Sequence, residues 1–122
     1  MLERCTTLLI SVPMKKTIVL HTTVAKKEDA RQIAKVLLDH ELIGCAQISG
    51  PIESIYRWKG IIESGEEYKL SVKTTAELAT ETIELIQAHH PYDVPEIVGN
   101  SLDICLKEYN DWLVGEVKNV SV

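Results

Sequence analysis

The middle of the chain carries a long extended segment that limits the folds available to it. Residues 52–74, "IESIYRWKGIIESGEEYKLSVKT", are predicted to be extended, and the second half places Tyr68, Leu70 and Val72 on one strand face, with polar residues between them. Ser64-Gly65 is a two-residue turn signal, which predicts a β-hairpin that turns there. A two-stranded ribbon alone is marginal in water. We therefore expect this ribbon to pack on something outside its own pairing, such as another subunit.

One amphipathic helix is predicted before the ribbon in the sequence and another after it. The first lies in "KKEDARQIAKVLLDHELIG", where apolar residues recur at the spacing of one helical face and Gly44 is the predicted stop. Thr74 and Glu77 have the spacing of a capping box and are predicted to open the second helix. That helix must end near His89, because the residue before Pro91 is disfavoured in the α region.

Three strands and a terminal helix complete the pattern. "KTIVLHTTV" is predicted to be the first strand, "CAQIS" the second, and "PEIVGNSLDI" the last, followed by a terminal helix in "LKEYNDWLVGEV". The order β-α-β-β-α-β predicts an α+β, ferredoxin-like (split βαβ) fold, with one antiparallel sheet and both main helices on one face. Apolar side chains point to the other face as well, and we expect self-association to cover it.

Composition narrows the class of protein. The 122 residues suit one domain, and the net charge of −5 argues against nucleic acid as a partner because phosphates require a cationic face. No apolar run approaches membrane-spanning length, so a membrane is not expected as a partner either. The three cysteines are odd in number and widely spaced, which favours a reducing compartment and a cytoplasmic location.

Four blocks of the sequence carry a resemblance to a known family. "GCAQI", "SIYRWKG", "EYKLSVKT" and "HHPYDVPEI" resemble the successive signature blocks of the CutA family, the divalent-cation tolerance proteins, and the likeness runs from about Thr17 to Val117. It implies a homotrimer in which long ribbons extend the sheets of neighbouring subunits. On this basis we divide the chain into an N-terminal extension, residues 1–15, and a CutA-like ferredoxin-fold domain, residues 16–122.

The resemblance also implies a metal site. His21, His89 and Glu96 match the positions where family members hold divalent ions, and His90 is a substitute ligand. His21 closes the first strand where some relatives have Cys, an exchange that suits Cu(II) and Zn(II) better than Cu(I). We therefore expect a divalent metal ion, Cu(II) before Zn(II) by the Irving–Williams order, and no organic cofactor. The competing interpretation is structural, because histidine is favoured at a helix C-terminus and the prolines alone account for the helix stop.

We predict that the protein is a divalent-metal-binding, copper-preferring trimer that acts in cation tolerance or homeostasis. An enzyme is not expected, because no nucleophile–base pair or nucleotide loop is apparent. The alternative is a PII-like signalling or scaffold trimer that binds a small anionic ligand or a partner protein at subunit clefts. In that case Tyr56, Trp58 and Tyr92 would line the cleft and Arg57 and Lys73 would meet the anion, although ribbon aromatics more often pack an interface. Two of the three cysteines, Cys45 and Cys105, each lie in an apolar stretch and are predicted to be buried and inert.

Overall fold

The computed structural model describes residues 15–120 and has the predicted α+β, ferredoxin-like arrangement. Residues 1–14 of the predicted extension lie outside the described part. The sheet order is β2-β3-β1-β4 and all pairs are antiparallel. In chain order the elements are β1 (Thr17–Val24), α1 (Lys27–Asp39), β2 (Cys45–Trp58), β3 (Ile61–Thr75), a 3₁₀ turn (Ala76–Leu78) leading into α2 (Ala79–His89), β4 (Ile97–Ser101) and α3 (Lys107–Glu116).

The main core lies between the sheet and the helices α1 and α2. Leu70 and Val72 of β3 are fully buried there, as the alternation predicts, while Tyr68 packs against the edge of the cluster. Residues of β1 alternate in the same way, so that Leu20 faces this core and His21 faces the opposite side of the sheet. The helical contribution to the core consists of Ala30, Ile33, Ala34, Leu37, Leu78 and Ile86.

Helix α1 ends before the glycine that was predicted to stop it. The amide of Leu42 donates to the Leu37 carbonyl and that of Glu41 to the Leu38 carbonyl, the two bonds of a Schellman motif. Glu41 therefore occupies the left-handed position, with φ of 54°. Gly44 instead lies beside α3, where a Cβ atom would come within 2.7 Å of Leu113 Cδ1. The prediction of a Gly44 helix stop is wrong, because local hydrogen bonds close the helix one turn earlier.

The β2–β3 hairpin is longer than predicted and turns at a different place. β2 runs unbroken from Cys45, with a register shift between Ser49 and Ile52. The two-residue turn is Lys59-Gly60, both at positive φ, as a type I′ turn requires. The predicted turn at Ser64-Gly65 is wrong, since those residues pair with Ile55 and Ser54 inside the ladder. Beyond the end of β1, the hairpin continues as a distal ribbon formed by residues 52–67.

The expected capping box at α2 is absent. Thr74 is fully buried, and its hydroxyl donates to the Leu42 carbonyl at 2.5 Å. The backbone enters the 3₁₀ turn at Thr75, which makes no side-chain capping bond. The packing of β3 against the α1–β2 connection therefore uses the Thr74 hydroxyl in a long-range hydrogen bond, whereas the local pattern predicted that it would cap the helix. The predicted end of α2 at His89 is confirmed.

Helix α3 covers one end of the sheet face that α1 and α2 leave open. Thr17 Oγ1 donates to Asn110 Oδ1 at 2.8 Å, and Asn110 Nδ2 donates to the Lys15 carbonyl at 3.2 Å. Leu113 is fully buried in the same contact. Part of this face is therefore covered from within the chain, whereas self-association had been expected to cover it. Within residues 15–120, no helix is both long and apolar enough to cross a membrane.

Candidate functional site

The segment that follows α2 is held against the sheet by His90. Its Nε2 lies 3.0 Å from the Thr23 carbonyl, and its Nδ1 lies 3.1 Å from the amide nitrogen of Tyr92. The first contact requires a protonated Nε2 and the second a lone pair on Nδ1, which fixes the neutral Nε2–H tautomer. Burial lowers the pKa of His90, against the opposing effects of the Thr23 carbonyl, Asp29 and Glu67. His90 is therefore a structural residue in this chain and has no nitrogen to offer as a substitute ligand.

Tyr92 continues this attachment to β3. Its hydroxyl donates to Glu67 Oε2 at 2.8 Å, and its ring meets that of His90 edge-on with centroids 4.8 Å apart. Burial, followed by the Glu67 hydrogen bond and charge, raises the pKa of the Tyr92 phenol. His90 and Tyr92 together tie the segment before β4 to the end of β1 and the base of the distal ribbon.

His21 stands on the sheet face opposite α1 and α2. It is half-buried between Ser71 of β3 and Val98 of β4, and its Nδ1 lies 2.8 Å from the Ser71 hydroxyl. If Nδ1–H donates to that hydroxyl, the lone pair is on Nε2, which has no hydrogen-bond partner within residues 15–120. A histidine ligand is commonly fixed in this way, with one nitrogen held by an outer partner and the other directed at the metal.

The other two candidate ligands lie on different elements. His89 is exposed in the last turn of α2, and Glu96 is exposed immediately before β4. Among residues 15–120, no group of three or more His, Cys, Asp or Glu side chains is placed to hold a metal ion. A single chain therefore presents His21, His89 and Glu96 separately and does not join them into one site.

The groups considered for an anionic ligand are also dispersed. Arg57 Nη1 donates to the Gly60 carbonyl at 3.2 Å, near the tip of the distal ribbon. Lys73 lies at the other end of β3 and donates to Gln47 Oε1 at 3.0 Å. Tyr56 and Trp58 are about half exposed on the ribbon, at 47% and 46%. Within one chain, the two cations do not form a common anion site.

Sequence reasoning missed the residues that position the candidates. Ser71 was seen only as an outward-facing polar residue of β3, and Glu67 only as part of a signature block. The role of Ser71 depends on its cross-strand pairing with His21. The role of Glu67 depends on its contact with Tyr92, which lies 25 residues away in the sequence. Strict alternation indicated that Ser71 faces away from the helices, but the strand register was needed to place it beside His21.

Comparisons of this chain with known proteins all point to one family. The model of the "CutA1 divalent ion tolerance protein" family matches residues 18–116. The "Divalent-cation tolerance protein CutA" of Thermus thermophilus is 43% identical over 91 residues, covering 75% of this chain and 88% of the relative. The chloroplastic CutA protein of Arabidopsis thaliana is 32% identical over 84% of this chain, which spans 57% of the plant protein.

Solved structures agree with the sequence matches. The Thermus thermophilus CutA1 structure superposes with a TM-score of 0.81 at 39% identity, covering 84% of this chain and 99% of that one. CutA1 from Oryza sativa gives a TM-score of 0.84 at 30% identity, with 88% and 98% covered. The family model spans nearly all of the described residues and the fold follows the same path. This chain belongs to the CutA1 divalent ion tolerance family.

Proposed function

We propose that this chain binds divalent metal ions, Cu(II) before Zn(II), as a cytoplasmic homotrimer that contributes to cation tolerance or homeostasis. The observation that carries the proposal is the His21 imidazole, which Ser71 fixes through Nδ1 while Nε2 has no partner among residues 15–120. Imidazole and carboxylate ligands suit Cu(II) and Zn(II), and the Irving–Williams order places copper first. The ion is bound cargo in this proposal and no catalytic step is assigned to it.

His21, His89 and Glu96 are the proposed ligands. Because one chain keeps them apart, we place the ion where subunits meet, so that a neighbouring subunit completes the set. The exposed apolar side chains of the distal ribbon support an assembly of this kind, as they are 46–67% exposed in the single chain. The cytoplasmic location is supported by Cys45 and Cys105, both of which are free thiols.

A binding role is favoured over a catalytic one. The family model and the Thermus thermophilus relative are named as divalent ion and divalent-cation tolerance proteins. The structure does contain a histidine–hydroxyl contact, His21 with Ser71, which sequence reasoning did not anticipate. However, no acidic residue within residues 15–120 hydrogen-bonds the other nitrogen of His21, so the arrangement lacks the third member that orients a catalytic base.

Titration of the purified protein with Cu(II) tests the ligand set. We expect His21→Ala, His89→Ala and Glu96→Ala each to weaken binding by more than the roughly 10- to 100-fold that loss of an outer partner costs. Ser71→Ala should fall within that range, because it removes only the group that orients His21. His40→Ala is the matched control, since His40 is an exposed histidine bonded through Nδ1 to the Val36 carbonyl of its own helix. Unchanged affinity in all three ligand variants would remove the site.

A further inference from the structure

A recess at the base of the distal ribbon brings two carboxylates together. It has a volume of about 330 Å³ and is lined by Pro51, Ile52, Glu53, Ser64, Gly65 and Glu66. Glu53 and Glu66 are cross-strand partners, so their Cβ atoms lie about 4.5–5.5 Å apart on one face of the ribbon. A Cβ atom added at Gly65 would meet no other atom within 4 Å, so the recess is open to a group that enters from outside.

The negative charge of this recess is not balanced within one chain. Neither Glu53 nor Glu66 makes an ion pair with any other group of residues 15–120. Like charges directly opposite each other on paired strands are destabilising. A cationic group placed between the two carboxylates would remove that repulsion and gain an attraction to each of them. The recess is therefore suited to a cation.

A cation with no acidic partner lies near the tip of the same ribbon face. Arg57 pairs with Ile62, and strand alternation puts both on the face that carries Glu53. The guanidinium donates to the Gly60 carbonyl at 3.2 Å and makes no ion pair within residues 15–120. Arg57 is four residues from Glu53, roughly 13 Å along the strand, and its bond to Gly60 directs it toward the tip. The chain therefore does not neutralise its own recess.

The surface between the recess and Arg57 favours a second copy of this chain as the source of the cation. Ile55 and Ile62 lie on this face and are each 67% exposed. A second copy that places the tip of its ribbon here covers these isoleucines and brings its own Arg57 to the recess. Because the tip and the recess are different patches, each subunit gives its tip to one neighbour and accepts the tip of the other. Head-to-tail contacts of this kind close a ring.

We propose that Arg57 of one subunit binds Glu53 and Glu66 in the recess of the neighbouring subunit. The guanidinium is a planar fork of N–H donors that stays charged, so it can donate to both carboxylates at once. This contact rests on the self-association in the proposed function. It does not rest on the metal site, because it shares no residue with the proposed ligands.

Charge reversal at each end tests the contact. Arg57→Glu, and separately Glu53→Lys combined with Glu66→Lys, bring like charges together in the interface. Each should raise the chain concentration at half-dissociation by more than roughly 10-fold, as measured by light scattering on dilution into a fixed, sub-denaturing concentration of urea. A chain with all three substitutions should regain most of the wild-type affinity, because its charges are complementary again. Arg31→Glu makes the same change at an exposed position of α1 and should dissociate as the wild type does.

Cross-linking locates the contact without reversing any charge. Arg57→Lys keeps the positive charge and supplies an amine that a carbodiimide can join to a neighbouring carboxylate. Covalent dimers and trimers should form, and peptide mass spectrometry of the dimer should join position 57 of one chain to Glu53 or Glu66 of the other. Arg57→Gln has no amine there and should lack these cross-linked peptides.

Several outcomes would overturn the contact. They are dissociation of Arg57→Glu no easier than that of Arg31→Glu, no recovery in the triple variant, or cross-links from position 57 only to other carboxylates. A wild-type mass that depends on added Ca(II) would also overturn it, by assigning the recess to a metal ion with oxygen ligands. A wild type of single-chain mass would remove this contact together with the proposed assembly. Failure of the charge rescue in a stable trimer would remove the contact alone and leave the metal proposal intact.

Discussion

Two adjacent histidines have different environments because α2 ends between them. His89 keeps helical geometry and stays exposed, whereas the backbone of His90 becomes extended, with φ of −80° and ψ of 136°. That change directs the His90 ring to the Thr23 carbonyl, 67 residues away in sequence. The sequence predicted the helix end and so the position of the change. It could not predict which histidine would be anchored, because that depends on how β1 lies against the segment.

Replacing Tyr92 with Phe should destabilise the chain and remove an alkaline pH dependence. Loss of the hydroxyl that donates to Glu67 is expected to cost about 1 kcal/mol of unfolding free energy at neutral pH. The folded-state pKa of Tyr92 lies above its unfolded value of about 10, so this stabilisation is complete below pH 10 and is lost as the pH rises toward the folded-state value. Urea unfolding at fixed protein concentration from neutral to alkaline pH measures both effects.

Tyr68→Phe is the control for this substitution, because the Tyr68 hydroxyl makes no hydrogen bond within residues 15–120. It should keep the alkaline slope of the wild type. Equal slopes for the wild type and Tyr92→Phe would show that Tyr92 does not titrate at a raised pKa.

At the scale of elements, periodicity predicted the helices and strands well and the connections poorly. Helix α1 and strand β3 follow from apolar spacing, which reflects the core they bury. The hairpin has two glycine-containing candidates for its turn, Lys59-Gly60 and Ser64-Gly65, and composition alone does not rank them. Pairing of β3 with β1 and the bulge in β2 fix the register, and these are long-range features.

The two glycines give a direct test of where the hairpin turns. Gly60 has φ of 81°, so Gly60→Ala should cost about 1 kcal/mol of unfolding free energy by forcing a Cβ into the left-handed region. Gly65 lies in a strand, where an added Cβ would have no neighbouring atom within 4 Å, and Gly65→Ala should leave stability unchanged or raise it by about 0.5 kcal/mol. Thermal and urea unfolding of both variants measure the difference. The reverse order would place the turn at Ser64-Gly65.

At the scale of the whole molecule, the order of elements predicted the sheet topology, because the split βαβ pattern has few ways to close one antiparallel sheet. The role of α3 could not be predicted in the same way. Its amphipathic spacing indicates only that one side is buried, and the buried Thr17–Asn110 bond that places it on the second sheet face is a contact across 93 positions. The candidate ligands have a similar limit, since the convergence proposed for them requires neighbouring subunits, which one sequence does not place.

The distal ribbon argues most directly for an assembly. Cross-strand pairing places Ile55 and Ile62 on one face of the ribbon. It places Trp58 and Ile61, which pair with each other, on the opposite face. The three isoleucines are 64–67% exposed, so apolar surface lies on both faces of a ribbon that has no core of its own. Burial of such side chains is worth roughly 1.5–3 kcal/mol each, which explains how neighbouring subunits would stabilise it. We expect light scattering to give three times the chain mass of 13.7 kDa.

Charged substitutions on the ribbon test this assembly. Ile55→Lys and Ile62→Lys should lower the observed mass toward that of one chain, because each places an ammonium where apolar surface would be buried. Gln32→Lys adds the same charge at an exposed position of α1, away from the ribbon, and should leave the mass unchanged.

If the ribbon variants dissociate, Cu(II) binding through His21, His89 and Glu96 should weaken with them, because the ion is proposed to lie between subunits. A wild-type monomer that still binds Cu(II) tightly would separate the metal proposal from the trimer and contradict the subunit-spanning site.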